Sequence, residues 1–214
     1  MFDIRRSKQN TREQLYLEEG KKSTEQIRII RTNIEQGDGS GRKCLMLTAP
    51  GPVKRKSLIT AKLALSFAEQ GRRTLLIDAN AREPVVHEWF HLDNTRGLSD
   101  AMAADESAVS FIQETFQPGL YVLPAGSGVG APGRLWTSER IEQAISGCRD
   151  AFDIVLVEAP ELLSVADSLI LMNHCDGVVM VTKSGHSRPA PVLKTKEMIE
   201  RARKPLLGVI FQTR

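Results

Sequence analysis

Four apolar runs in this chain, residues 44–48, 74–78, 154–157 and 178–181, are continuous rather than alternating. A strand that is apolar at successive positions has to be buried on both faces, and a parallel sheet covered by helices on either side provides that burial. Helical spacing recurs between the runs, at residues 57–70, 138–148, 166–173 and 191–202, and further strand patterns occur at 121–123 and 207–211. The alternation predicts an α/β fold with a doubly wound, mostly parallel sheet and helices on both faces. In such folds ligands bind beyond the carboxyl ends of the strands. Thr48, Asp78, Glu158 and Lys183 fall there.

The remaining features bound the class of protein. At 214 residues, the chain accommodates one substantial domain. Residues 1–40 are polar and charge-rich, with Ile27, Ile30 and Ile34 at helical spacing after a cap at Ser23 or Thr24. They read as a tail and an amphipathic helix, ended by the glycine-rich stretch at 37–41, with the α/β domain over 41–214. No apolar run approaches the ~20 residues needed to cross a bilayer, and Asn10 to Gln14 stand where a signal peptide would be apolar. Cys44, Cys148 and Cys175 are widely spaced and odd in number, as expected of buried thiols in a reducing cytoplasm. A net charge of +3 does not by itself point to nucleic acid.

The first strand runs through Thr48-Ala-Pro-Gly-Pro-Val-Lys-Arg-Lys-Ser57 into a helix, the context in which phosphate-binding loops sit. Such a loop needs glycines whose backbone N–H groups wrap the phosphates, a Lys that reaches the terminal phosphate, and a hydroxyl for magnesium. Lys56 and Ser57 meet the last two requirements, and Lys54 and Arg55 add charge that would attract an anion. Arg55 and Val53, however, stand where glycine is wanted. A weakened anion site and a basic turn with no ligand both fit this pattern. Asp78 and Glu158 end two of the strands, where paired carboxylates hold magnesium through oxygen and water, or where single acids cap helices. His87 and His91 lie one helical turn apart with no third metal ligand at a clear spacing, which favours surface or packing roles. The glycines at 126–130 read as a loop.

Taken together, these segments resemble the bacterial tyrosine kinases of capsular and exopolysaccharide systems, relatives of the MinD and ParA P-loop ATPases. Residues 48–64 are similar to that family's TSxxPGEGKSTxxxNLA, 75–84 to LLIDADLRRP, 97–100 to GLSD, 121–126 to YVLPAG, 152–160 to FDYVIIDTPP and 166–171 to TDALILA. The resemblance implies a P-loop NTPase-like fold, ATP with magnesium, and phosphoryl transfer to tyrosine. Glu25, Arg28 and Arg31 match the family's E-x-x-R-x-x-R helix, which implies a homo-oligomer; at these offsets they could equally form intrahelical ion pairs worth ~0.2–0.5 kcal/mol each.

The departures decide the functional expectation. Where the family has PGEGKST, this chain has Pro52-Val-Lys-Arg-Lys-Ser-Leu58; the second Asp of IDAD is Asn80, and the Asp of the later strand is Glu158. Backbone cradle, magnesium shell and charge balance are each altered. Only Tyr16 and Tyr121 are present, whereas active members carry a tyrosine cluster at the C-terminus. The chain is therefore expected to be a catalytically impaired, pseudokinase-like member with weak or absent binding of ATP and magnesium. Its role would be as an interaction or regulatory component of exopolysaccharide assembly or export. The resemblance implies a membrane polysaccharide co-polymerase or export partner that docks through its cytoplasmic segment and holds the protein at the inner face of the membrane. One alternative is an active autokinase, with Lys56 and Asp78 catalytic and Ser57, Asp78 and Glu158 around magnesium. The other is a ParA/MinD-like positioning ATPase.

Overall fold

The apolar runs form the centre of a seven-stranded sheet in the computed structural model, which describes residues 20–36, 41, 43–104, 106–127, 136–183 and 189–212. In chain order the elements are α1 (Gly20–Gln36), β1 (Lys43–Thr48), α2 (Lys56–Glu69), β2 (Thr74–Asp78), α3 (Val86–Phe90) and α4 (Leu98–Ala104). A 3-10 turn (Ala108–Phe111), β3 (Gln113–Glu114), β4 (Leu120–Leu123), α5 (Ser138–Arg149) and β5 (Ile154–Glu158) follow. The chain continues through α6 (Asp167–Asn173), β6 (Gly177–Lys183), α7 (Pro189–Arg201) and β7 (Leu206–Gln212). The sheet order is β3-β4-β2-β5-β1-β6-β7, parallel throughout except for β3.

Burial on both faces explains the continuous apolar strands. In β1, Cys44 and Met46 enter one core cluster while Leu45 and Leu47 enter the other; β5 does the same with Val155 and Val157 against Ile154 and Leu156. The first cluster lies under α4, α5 and α6, the second under α1, α2 and α3. Helix α2 is buried from Lys56 to Ala68, because the sheet covers one side of it and α1 the other. The α1 stripe that meets it differs from the isoleucine face read in the sequence. Ile27, Arg31 and Ile34 are buried there, while Ile30 is half-buried. Arg31 is accommodated because its guanidinium donates to the Ser66 carbonyl at 3.1 Å and to the Ser66 hydroxyl at 3.3 Å.

The helix α1 begins at Gly20, ahead of the expected cap at Ser23 or Thr24. The tail expected before it, residues 37–40 of the glycine-rich stretch and residues 128–130 of the loop expected at 126–130 lie outside the described residues. The cysteines are free and buried, with Cys44 and Cys175 in contact at 3.8 Å between sulfurs. No helix among the described residues is long and apolar enough to cross a membrane.

Candidate functional site

The carboxyl ends of β1, β2 and β5 meet the loop before α2. Strand register places Glu158 beside Leu47 on one side and Asp78 on the other, so the two acids lie at the same level of the sheet. Helix α2 starts at Lys56, and Ile59 donates its N–H to the Arg55 carbonyl at 3.1 Å to close the first turn. Thr60 is one turn beyond Lys56 and shares its face.

Lys56 is turned inward. Its Nζ donates to Glu158 Oε1 at 2.5 Å and to the Ala159 carbonyl at 2.5 Å, and the second Glu158 oxygen accepts from the Thr60 hydroxyl at 2.5 Å. Lys56 is 5% exposed and Glu158 2%. A glutamate is one methylene longer than the aspartate of the resembled motif, and in this site its carboxylate is held by α2. The pair is buried and its charges are satisfied by these bonds, the condition under which a buried ion pair is tolerated.

Asp78 is fully buried and is held by backbone. Oδ1 accepts the N–H of Asn80 at 3.1 Å, and Oδ2 accepts those of Val85 at 3.2 Å and Val86 at 3.1 Å. Burial pushes its carboxyl up to about 7, with the nearby Glu158 carboxylate acting in the same direction, against the pull of the Val86 and Asn80 N–H groups and the Lys56 ammonium. The side chain thus anchors the start of α3, a short helix whose own first residues offer no side-chain cap.

Ser57 is buried too, and its hydroxyl accepts the indole N–H of Trp89 at 3.2 Å. Lys54 and Arg55 are exposed at the loop. Arg55 adopts φ 65° and ψ 16°, a left-handed conformation in which glycine carries no steric penalty and a side chain does. The position therefore wants glycine for backbone geometry as well as for close approach to a ligand. The side-chain atoms of Lys56, Ser57, Asp78 and Glu158 that would meet a nucleotide and its magnesium each have a partner inside the chain.

Lys56, Ser57, Asp78 and Glu158 are brought together as their strand-end and loop positions implied. Thr60 and Trp89 complete the cluster and were not singled out for it by sequence reading; the signal for Thr60 was its i+4 spacing from Lys56. Glu25, Arg28 and Arg31 do not share one environment. Arg28 lies 3.6 Å from Glu25 in an exposed intrahelical pair, whereas Arg31 is buried against α2 and lies 3.5 Å from Glu35. His91 ends α3 in a left-handed conformation, and no group of three or more His, Cys, Asp or Glu residues that could hold a metal occurs among the described residues.

Two other resembled motifs meet away from this cluster. Leu98 and Ser99 donate their N–H groups to the carbonyls of Pro124 and Ala125 at 2.8 and 2.9 Å, and Asp100 accepts from the N–H groups of Gly97 and Ser127. Gly126, at φ 90°, packs so closely on Asp100 and Ser99 that a Cβ would not fit.

No family model matches the chain. It is 37% identical over 190 residues to the tyrosine-protein kinase YwqD of Bacillus subtilis, covering 88% of this chain and 80% of that protein. The crystal structure of the chimerical protein CapA2B2 superposes with a TM-score of 0.81 at 30% identity, covering 87% of this chain and 83% of that one. The septum site-determining protein MinD of Pyrococcus horikoshii, solved with Mg-ADP, shares the fold at a TM-score of 0.69 and 20% identity, covering 79% and 70%.

Proposed function

The chain belongs to the family of bacterial tyrosine-protein kinases, and we propose that it is a catalytically impaired member that acts through its surface as a regulatory component of exopolysaccharide assembly or export. The observation that carries this reading is the enclosure of Lys56, whose ammonium is bound to Glu158 and to the Ala159 carbonyl at 2.5 Å each. Phosphoryl transfer depends on positioning and on charge directed at the phosphates, so a lysine neutralised inside the protein contributes neither. Arg55 adds a side chain where the cradle needs bare backbone, and Ser57 and Asp78 are held by Trp89 and by three backbone amides. As they stand, these residues do not fit a magnesium-nucleotide group. The proposed partner, carried over from the family resemblance, is the cytoplasmic segment of a membrane polysaccharide co-polymerase or export protein. Through it the protein would sit at the inner face of the membrane, with the exposed Glu25 and Arg28 at contacts between copies.

Calorimetry of the full chain with ATP and magnesium tests the reading. The wild type is expected to show no micromolar affinity, and the variant Val53→Gly/Arg55→Gly/Glu158→Asp is expected to gain it by restoring the cradle and shortening the acid that holds Lys56. Micromolar binding by the wild type, followed by phosphotyrosine formation, overturns the proposal in favour of an active autokinase.

A further inference from the structure

Three thiols gather in the interior at the end of the sheet away from Lys56. Cys44 is the second residue of β1, Cys175 lies in the bend between α6 and β6, and Cys148 is the penultimate residue of α5. All three belong to one core cluster, and none is more than 1% exposed. The Cys44 thiol meets the Cys175 sulfur at 3.8 Å, and the Cys175 thiol donates to the Leu171 carbonyl at 3.4 Å. Cys44 is fixed in place, because β1 is paired with β5 on one side and β6 on the other. Cys175 stands just outside that ladder. The residue after it, Asp176, donates its N–H to the Cys44 carbonyl at 2.7 Å and accepts the Cys44 N–H on its carboxylate at 2.7 Å. Backbones bonded in this way lie about 4.8 Å apart, inside the ~4.4–6.8 Å between α-carbons that a disulfide spans. The sulfurs have only to close from 3.8 Å to ~2.05 Å, within reach of side-chain rotation.

The pair is buried, but its cover is held by bonds near the surface. Arg149 donates to the His174 carbonyl at 3.1 Å and pairs with Asp176, the two side chains being 37% and 36% exposed. Lys204 Nζ donates to the carbonyls of Asn173 at 2.8 Å and Cys175 at 2.9 Å. Two cations, one from the end of α5 and one from the turn after α7, thus pin the bend at 173–176. With the bend closed the thiols are quiet: the contact with Cys44 and burial hold the Cys175 thiol well above the usual range, and burial pushes Cys148 up to about 12. We infer that Cys44 and Cys175 are a redox-modification site, at which hydrogen peroxide forms a reversible disulfide between β1 and the bend before β6 when that bend opens. Cys175 as thiolate attacks one peroxide oxygen, the O–O bond breaks, and hydroxide leaves as water after taking a proton. Cys44 then attacks the sulfenic sulfur, the S–S bond forms and a second water leaves, so two thiols have passed two electrons to one peroxide. Thiol exchange with a reductant restores both thiols. The bond joins residues 131 positions apart and so restricts the unfolded chain strongly. It uses none of the residues around Lys56 and does not depend on the catalytic state of that site.

The test is a thiol count with disulfide mapping by mass spectrometry, on the folded full chain exposed to excess hydrogen peroxide and then unfolded in an alkylating reagent. The wild type is expected to fall from three reactive thiols to one, at Cys148, and to regain all three after dithiothreitol. The oxidised chain is expected to melt at least about 5 °C above the reduced one. Arg149→Ala and Lys204→Ala are each expected to speed disulfide formation at least about tenfold, the effect of removing charge-assisted hydrogen bonds that oppose a local opening. Cys148→Ser is expected to oxidise at the wild-type rate. The wild-type count needs no variant and therefore stands if a substitution unfolds the chain. Three thiols retained by the folded wild type, a bridge mapped to Cys148, or sulfinic acid at Cys44 or Cys175 in place of a bridge each overturns the proposal. So does an oxidation rate that neither Arg149→Ala nor Lys204→Ala changes, since the bend would then not be what admits the peroxide.

Discussion

Lys56 and Glu158 form an ion pair 2.5 Å long with both side chains at most 6% exposed, at the point where the first helix after β1 meets the end of β5. Two residues that the family resemblance assigns to phosphate and metal are here part of the protein's internal structure. Removing either leaves a buried charge without its partner, which costs about 3–5 kcal/mol; replacing both removes the charge and the need for it together. Urea unfolding is expected to show Lys56→Met and Glu158→Gln as individually destabilising, with the double variant less destabilised than the sum by more than about 1.5 kcal/mol. Simple additivity would mean that the pair is not coupled. The same reasoning makes Lys56→Met an unsuitable probe of function in cells unless the abundance of the folded protein is measured beside it.

The raised Asp78 carboxyl predicts a pH dependence of stability. Its folded value is about 7, while an unfolded aspartate titrates near ~3.9. Between those values the folded chain keeps a proton that the unfolded chain has released. Its stabilising contribution is therefore complete below the unfolded value and is lost as pH rises through 7, on the order of a few kcal/mol in total. Melting temperatures are expected to fall from pH 5 to pH 8 in the wild type. Asp78→Asn should flatten that profile whatever its own stability, and an equally steep profile in the variant would assign the effect to other groups.

The split environment of the α1 arginines predicts unequal consequences of removing them. Arg31→Ala deletes a buried guanidinium bonded to Ser66 and should cost about 1.5–3 kcal/mol in urea unfolding. Arg28→Ala breaks only an exposed pair with Glu25 and should change stability by less than about 0.5 kcal/mol. Light scattering on Arg28→Ala thus reports on assembly without a folding defect. A large loss of stability in that variant would contradict the placement of the side chain.

The architecture was legible because it rests on local patterns. Continuous apolar runs located β1, β2, β5 and β6 to within about two residues, and the helical spacing of α2, α5, α6 and α7 fixed their order, since hydrophobic burial acts on each segment through its own periodicity. The strand-end positions of Asp78 and Glu158 followed from the same reading. Elements held by distant partners carried no such signal. Helix α3 is started by Asp78, eight residues before its first residue, and α4 by carbonyls of Pro124 and Ala125, so neither was read from its own few residues. The replacements Arg55 and Glu158 were visible in the sequence, but not their consequences. Whether Lys56 faced a ligand or the protein depended on a glutamate 102 residues away and on its reach across to α2. Sequence thus determined which residues gather at the end of the sheet; only tertiary packing decided that they bind one another, because in a buried site an unpaired charge is too costly to be left waiting.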